Sequence, residues 1–253
     1  MMFSLEVSLD SPWMNAAGTL GFAPSALSMS RWQVPAPMGA FVTNPISLHA
    51  RTPAADRGLM AFPGGVLLHS GLINPGLRRV IRKYSERWAQ SSVPVWVHLI
   101  GQQPDEIHQM VRQLEGLDGV AALEIGIPPE ASGSHALAFI EAAFGELPIA
   151  AHIPLTSAGE GWVEKLREAG ASAISLGGPR GALPSDTGRP VNGRLYGPGL
   201  FPLMMAAVQN ARRLGIPVIA GAGVYRGREA QALRDAGAWA VQLDTVLWRG
   251  WKD

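Results

Sequence analysis

The sequence predicts a (β/α)8 barrel, and three observations carry that expectation. Short apolar runs alternate with helical segments along the whole chain, the pattern of a parallel sheet wrapped by helices. The 253 residues match the usual size of one such barrel. The 30 glycines and 20 prolines punctuate the elements instead of gathering into a linker, so one barrel domain over residues 1–253 is expected. An open doubly wound sheet is the competing topology, but no GxGxxG follows the first strand.

In order, residues 13–17 read as the first strand and 23–32 as a helix. Strand two is 39–43, ended by Asn44-Pro45. Residues 47–74 read as a long irregular connection, and such loops tend to be functional. A helix over 75–90 has proline at its first turn. Strands follow at 94–100, 120–125, 148–153 and 172–176, with helices at 104–114, 132–144 and 156–169 between them. Residues 177–197 form a second long loop rich in Gly and Pro, before a helix at 198–214. The last unit is the clearest. Residues 216–220 suit a strand buried on both faces, Gly221-Ala222-Gly223 ends it, 226–236 is helical until Gly237, and 238–243 is the eighth strand. Such a unit forms a parallel pair with a right-handed crossover.

A net charge of +1 gives no electrostatic case for nucleic acid or an anionic membrane. Cysteine is absent, which excludes disulfides, thiolate metal sites and a cysteine nucleophile. No signal-peptide pattern and no membrane-length apolar run is present, so a cytoplasmic protein acting on a small molecule is expected. The eight tryptophans are many for this length. Trp13, Trp32, Trp88, Trp248 and Trp251 either form an apolar interface or pack in the core.

Chemistry in a barrel sits where the strands end. Those ends carry Asn15, Asn44, His98, Glu124, His152, Gly177-Gly178, the 221–223 glycine turn and Asp244-Thr245. Six segments, in order and over almost the whole chain, resemble the dihydroorotate dehydrogenase family of FMN-dependent barrels. They are NAAGTLGF (15–22), FVTNPISL (41–48), PGGVLLHSGLINPG (63–76), TGRPVNGRLYGP (187–198), IPVIAGAGV (216–224) and the pair AGASAISL and AGAWAVQL. The resemblance implies FMN against Ala16, Ala17 and Gly18, with Asn44, Glu124 and Gly178 also at the cofactor. It puts the phosphate at Gly197, Gly221-Ala222-Gly223 and Asp244-Thr245, and substrate at Leu68, His69, Ser70, Gly71 and Leu72. It also implies a homodimer, or a hetero-oligomer with a catalytic family member.

The departures from the family pattern have chemical meaning. The family's lysine after strand two falls on Asn44, its substrate-gripping loop asparagine on Leu68, and its catalytic-base position on Ile127. Its strand-four asparagines fall on Glu124 and Pro129, its strand-five lysine on Ala151, and its strand-six Asn-Thr on Gly178-Pro179. Isoleucine cannot take a proton, so the family's oxidation of dihydroorotate is not expected by the family's mechanism. Asp244 replaces the glycine of the final phosphate turn, which would set an anion beside a phosphate dianion.

Three functional readings stand at this level. One is a diverged FMN oxidoreductase with inert residues where proton-handling groups were. Another is a non-catalytic barrel that has lost the flavin, its glycines making only tight turns. The third is a metal-dependent or cofactor-free enzyme using Glu124 and His98, although no metal is assigned. Glu124 needs a partner if it ends a buried strand, with Arg194 or a histidine as candidates. His152 neighbours the family's inward position and is expected to point away. Arg180, Arg189 and Arg194 either face solvent or bind an anion.

Overall fold

The structure, a computed structural model, describes residues 5–54, 58–184 and 188–251. Thr187, which begins one of the family-like segments, lies outside that range, as do residues 1–4 of the N-terminal stretch.

The first elements are β1 (Trp13–Asn15), α1 (Ala26–Ser30), β2 (Phe41–Val42), β3 (Gly58–Phe62), β4 (Gly65–His69) and α2 (Leu77–Ala89). Next come β5 (Val95–Ile100), α3 (Pro104–Leu114), β6 (Val120–Gly126), α4 (Gly133–Ala143), β7 (Ile149–Pro154) and β8 (Ala173–Gly177). The chain ends with β9 (Arg180–Leu183), β10 (Val191–Tyr196), α5 (Phe201–Ala211), β11 (Val218–Ala220), α6 (Gly227–Ala236), β12 (Ala240–Leu243) and α7 (Val246–Arg249).

Eight parallel strands form one sheet in the order β1-β12-β11-β8-β7-β6-β5-β2. A Met14–Ala40 bridge brings the two ends together, so the sheet is a (β/α)8 barrel. Asn15 completes this seam with its side chain. Its Nδ2 donates to the Val42 carbonyl at 2.7 Å, and its Oδ1 accepts from the Val42 N–H at 2.8 Å. The amide thus mimics a peptide unit where β2, two residues long, has little ladder of its own.

Strand alternation sorts the core into two shells. Outward residues such as Val97, Leu123, Ile149 and Ile174 pack beneath the helices. Inside the barrel, Trp96 meets Met14, Val42, Ile219 and a set of alanines on β6, β7, β8 and β12. One large indole fills the volume that the small residues leave, which keeps interior packing dense.

In their described residues both long connections carry strands, which corrects the expectation of irregular loops. The first supplies the hairpin β3–β4 and the second β9–β10, and β4 pairs with β10 to give a four-stranded antiparallel sheet. The segment 156–169 is not an α-helix. It forms two 3₁₀ turns, Leu155–Ser157 and Val163–Lys165, because Gly159 and Gly161 interrupt it and each glycine disfavours helix by about 1 kcal/mol. Gly237 ends α6 in the left-handed region at φ 114°, as expected.

The tryptophans do not share one surface. Trp88 and Trp96 are fully buried, Trp13 stacks edge-on with Trp251 at 5.9 Å, and Trp248 donates to the Thr19 carbonyl. Among the described residues, no helix is long and apolar enough to cross a membrane.

Candidate functional site

One pleat above the Trp96 layer, the same strands turn polar. His98 on β5, Glu124 on β6, His152 on β7, Ser175 on β8 and Gln242 on β12 each stand two residues beyond an inward apolar residue. All five are buried. They form one hydrogen-bonded layer across the barrel. His98 Nδ1 lies 2.5 Å from Glu124 Oε2, and Gln242 Nε2 donates to Glu124 Oε1 at 2.6 Å. Ser175 Oγ donates to Gln242 Oε1 at 3.1 Å, and His152 Nδ1 lies 3.1 Å from Ser175 Oγ.

Electrostatics fixes the direction of every bond. Burial alone would raise the Glu124 pKa, but the hydrogen bond from His98 and the fields of His152 and His98 hold it down at about 2. Glu124 is therefore ionised and accepts only. Gln242 must turn its NH2 toward it, leaving Oε1 to receive the Ser175 hydroxyl proton. Ser175 Oγ in turn accepts from His152 Nδ1–H. Burial drives His152 down to about 3, against the pull of Glu124, with Arg194 and His98 adding to the fall. His152 is thus neutral, and its Nε2 is buried without a partner. Its ring lies against Gly177, where a Cβ would come within 2.6 Å of Nε2. In 15N spectra of histidine-labelled protein, both His98 and His152 are expected to carry a proton on Nδ1. An Nε2-only proton on either would break this chain.

Above the layer, Gly126 and Pro154 leave space, and a cavity of about 780 Å³ opens at the strand ends. His98 and His152 line its floor. Ala17, Gly18, Asn44 and Ile127 are on its walls, and Leu68, His69, Ser70, Gly71 and Leu72 border it. Gly178, Arg180, Arg194 and Tyr196 bring the antiparallel sheet to its other side. Glu124 lies beneath the floor, behind His98.

Several expectations are corrected by this geometry. His152 faces inward, while Ala151 packs outward with the helices. A strand-five lysine able to reach the mouth would therefore stand at position 152, not 151. Of the two partners considered for Glu124, Arg194 or a histidine, it takes the histidine, His98, with Gln242 beside it. The floor is not inert, since two imidazoles occupy it. Ser175 and Gln242 went unnoticed in the sequence. Their signal was the shared offset: Trp-x-His, Ala-x-Glu, Ala-x-His, Ala-x-Ser and Ala-x-Gln repeat across five strands.

The implied phosphate residues are elsewhere. Gly197, Gly221, Ala222, Gly223, Asp244 and Thr245 are not part of the cavity lining, and neither is Ala16. A Cβ on Gly223 would meet Phe201 N at 2.4 Å, at a φ of 82°, and one on Gly221 would meet the Leu176 carbonyl at 2.8 Å. Close backbone packing inside the protein already demands both glycines. Asp244 is 3% exposed, and its Oδ1 accepts from Thr245 Oγ1. Burial raises its pKa to about 6, while the Thr245 hydroxyl, the N–H groups of Thr245 and Val246, and Arg194 favour the charge. The carboxylate is thus buried at the end of β12, with Oδ2 left unpartnered. Tyr225 OH, 2.5 Å from Thr245 Oγ1, closes it further. Among the described residues, no group of three or more His, Cys, Asp or Glu side chains could hold a metal ion.

Fold and site together define a (β/α)8 barrel with a small-molecule cavity at the strand ends. No family model matches the chain. Its similarity is to curated proteins named "dihydroorotate dehydrogenase B (NAD(+)), catalytic subunit". The one from Desulforudis audaxviator is 29% identical over 260 residues, covering 95% of this chain and 84% of the relative. Those from Trichlorobacter lovleyi and Geobacter sulfurreducens are each 28% identical over the same 95% of this chain, and over 85% and 84% of their own. Over 95% of its length the chain is thus similar to dihydroorotate dehydrogenase B catalytic subunits.

Proposed function

We propose that this chain is a ligand-binding barrel of the dihydroorotate dehydrogenase line that keeps the strand-end cavity and no longer seats FMN. The Asp244 carboxylate carries this reading. It stands at the turn before α7, beside the Thr245 and Val246 N–H groups, in a buried place where Arg194 is the cation that favours its charge. A carboxylate about 4 Å from a phosphate charge costs roughly 4 kcal/mol at surface-like dielectric. The relatives' name supports the opposite reading, a flavin oxidoreductase acting on dihydroorotate, and the cavity walls at Ala17 and Gly18 are compatible with a flat ring.

Flavin absorbance separates the two. The purified protein is expected to be colourless and to leave added FMN free. Asp244→Gly removes the charge and is expected to tighten FMN at least roughly tenfold, since even half of that Coulomb cost exceeds a tenfold change. A yellow wild-type protein would overturn the proposal. The relatives are named as one subunit of an enzyme, so a homodimer or a complex with a second subunit belongs to the same proposal. Light scattering of the purified chain would show the first.

A further inference from the structure

We propose that the cavity is an acid–base site for a small organic anion, with His98 as the group that exchanges a proton with it and Arg180 as the cation that holds it. The proposal deepens the flavin-free reading above and rests on it. The His98 ring has one nitrogen committed, Nδ1 to Glu124 at 2.5 Å. Among the described residues, His152 Nε2 and Asp244 Oδ2 are the buried side-chain atoms without a partner, and His98 Nε2 is not one of them. His98 lines the cavity, and a Cβ on Gly126 would stand 3.0 Å from Nε2. That nitrogen therefore opens over a glycine, toward the space a ligand would take. A carboxylate behind an imidazole fixes its tautomer and steadies the imidazolium formed when the other nitrogen takes a proton.

The opposite wall supplies the charge. Arg180 and Arg194 are directly opposed in the β9–β10 register, and both line the cavity. Like charges side by side on one sheet face repel. Arg194 is offset by Tyr196 and the field of Asp244. No carboxylate partner is recorded for Arg180 among the described residues. Arg51, whose Nε donates to the Gly71 carbonyl, adds a third cation to the lining against the carboxylate of Glu130. Arg180 is exposed at this wall, so its guanidinium is free to meet an anion in the cavity.

The proton step needs nothing further. A C–H, N–H or O–H proton of the bound anion passes to His98 Nε2, the Nδ1–H stays on Glu124, and the electron pair remains on the substrate. Return of that proton to another substrate atom completes a redox-neutral shift with no oxidant or reductant.

Diethyl pyrocarbonate, which acylates open imidazole nitrogens, tests the arrangement at pH 7 by absorbance. Wild-type protein is expected to show a fast phase that His98→Gln lacks, and that Gly126→Ala slows by covering Nε2. Orotate, a planar carboxylate, is expected to protect this phase, while uracil, the same ring without the carboxylate, is not. Arg180→Ala should weaken orotate protection roughly tenfold or more, the value of one charge-assisted hydrogen bond. A His98 phase that neither orotate nor Arg180→Ala affects, or no His98 phase in a protein whose circular dichroism is native, overturns the proposal. Protein that purifies yellow yet keeps the protected His98 phase overturns only the flavin-free reading.

Discussion

Glu124→Ala is expected to destabilise the protein by about 3–5 kcal/mol, the usual cost of removing one member of a buried charged network. Glu124 is fully buried and is the acceptor on which two donors converge, His98 Nδ1–H and the Gln242 NH2 group. Without it both donors lose their partner in a water-poor layer, and the tautomer chain through Ser175 to His152 loses its origin. For a chain of this size that corresponds to a fall in Tm of roughly 6–20 °C. Glu124→Gln keeps the volume but removes the charge and one acceptor oxygen, so about 1–3 kcal/mol is expected. Urea unfolding of the two variants checks the order. An alanine variant as stable as wild type would mean that the polar layer is not the structural centre of the mouth.

Stability is expected to be nearly flat from pH 6.5 to about 4.5 and then to fall steeply. His152 titrates near 6.5 when unfolded and about 3 when folded, so its contribution is full above 6.5 and is lost as pH falls, by about 1.4 kcal/mol per unit. Asp244 runs the other way. Its folded pKa of about 6 exceeds its ordinary 3.8, so its contribution is full below 3.8 and is lost as pH rises through 6. Between those values the two slopes cancel. Glu124, held at about 2 against an ordinary 4.5, adds a loss of the His152 sign below 4.5, and below 3.8 nothing opposes the pair. Asp244→Asn removes the counterweight. Its stability should then decline from pH 6.5 downward at about 1.4 kcal/mol per unit, where wild type stays level. Urea midpoints at four pH values between 7 and 4.5 would show it, and parallel curves for the two proteins would refute the assignment.

Much of the barrel was legible in the sequence because each strand is an apolar run bounded by Gly or Pro and each helix carries its own stop. Gly237 after α6 and the Pro104 start of α3 are local signals, and both hold in the structure. The antiparallel sheet was not legible. GLMAF (58–62) and GVLLH (65–69) are short and lie in a Gly-rich stretch, and the partner of β4 is more than a hundred residues away in β10. The polar layer was half legible. His98 and Glu124 were visible as charged residues at strand ends, but Ser175 and Gln242 are common residue types that gain meaning only as a ring. Ala151 and His152 were exchanged because strand phase has a period of two, and a slip of one residue reverses every side chain.

From the sequence alone came the barrel, its strand-end ring of unusual residues, and the resemblance that sets Ile127 against the family's base position. The tertiary structure decided that His152 faces in, that Glu124 takes His98 and Gln242 as partners, and that Asp244 is buried behind Thr245. Periodicity and punctuation are properties of neighbouring residues, so a sequence displays them directly. Side-chain direction and the choice of partner depend on how eight strands close on one another, and only that closure brings residues 98, 124, 152, 175 and 242 to a single height.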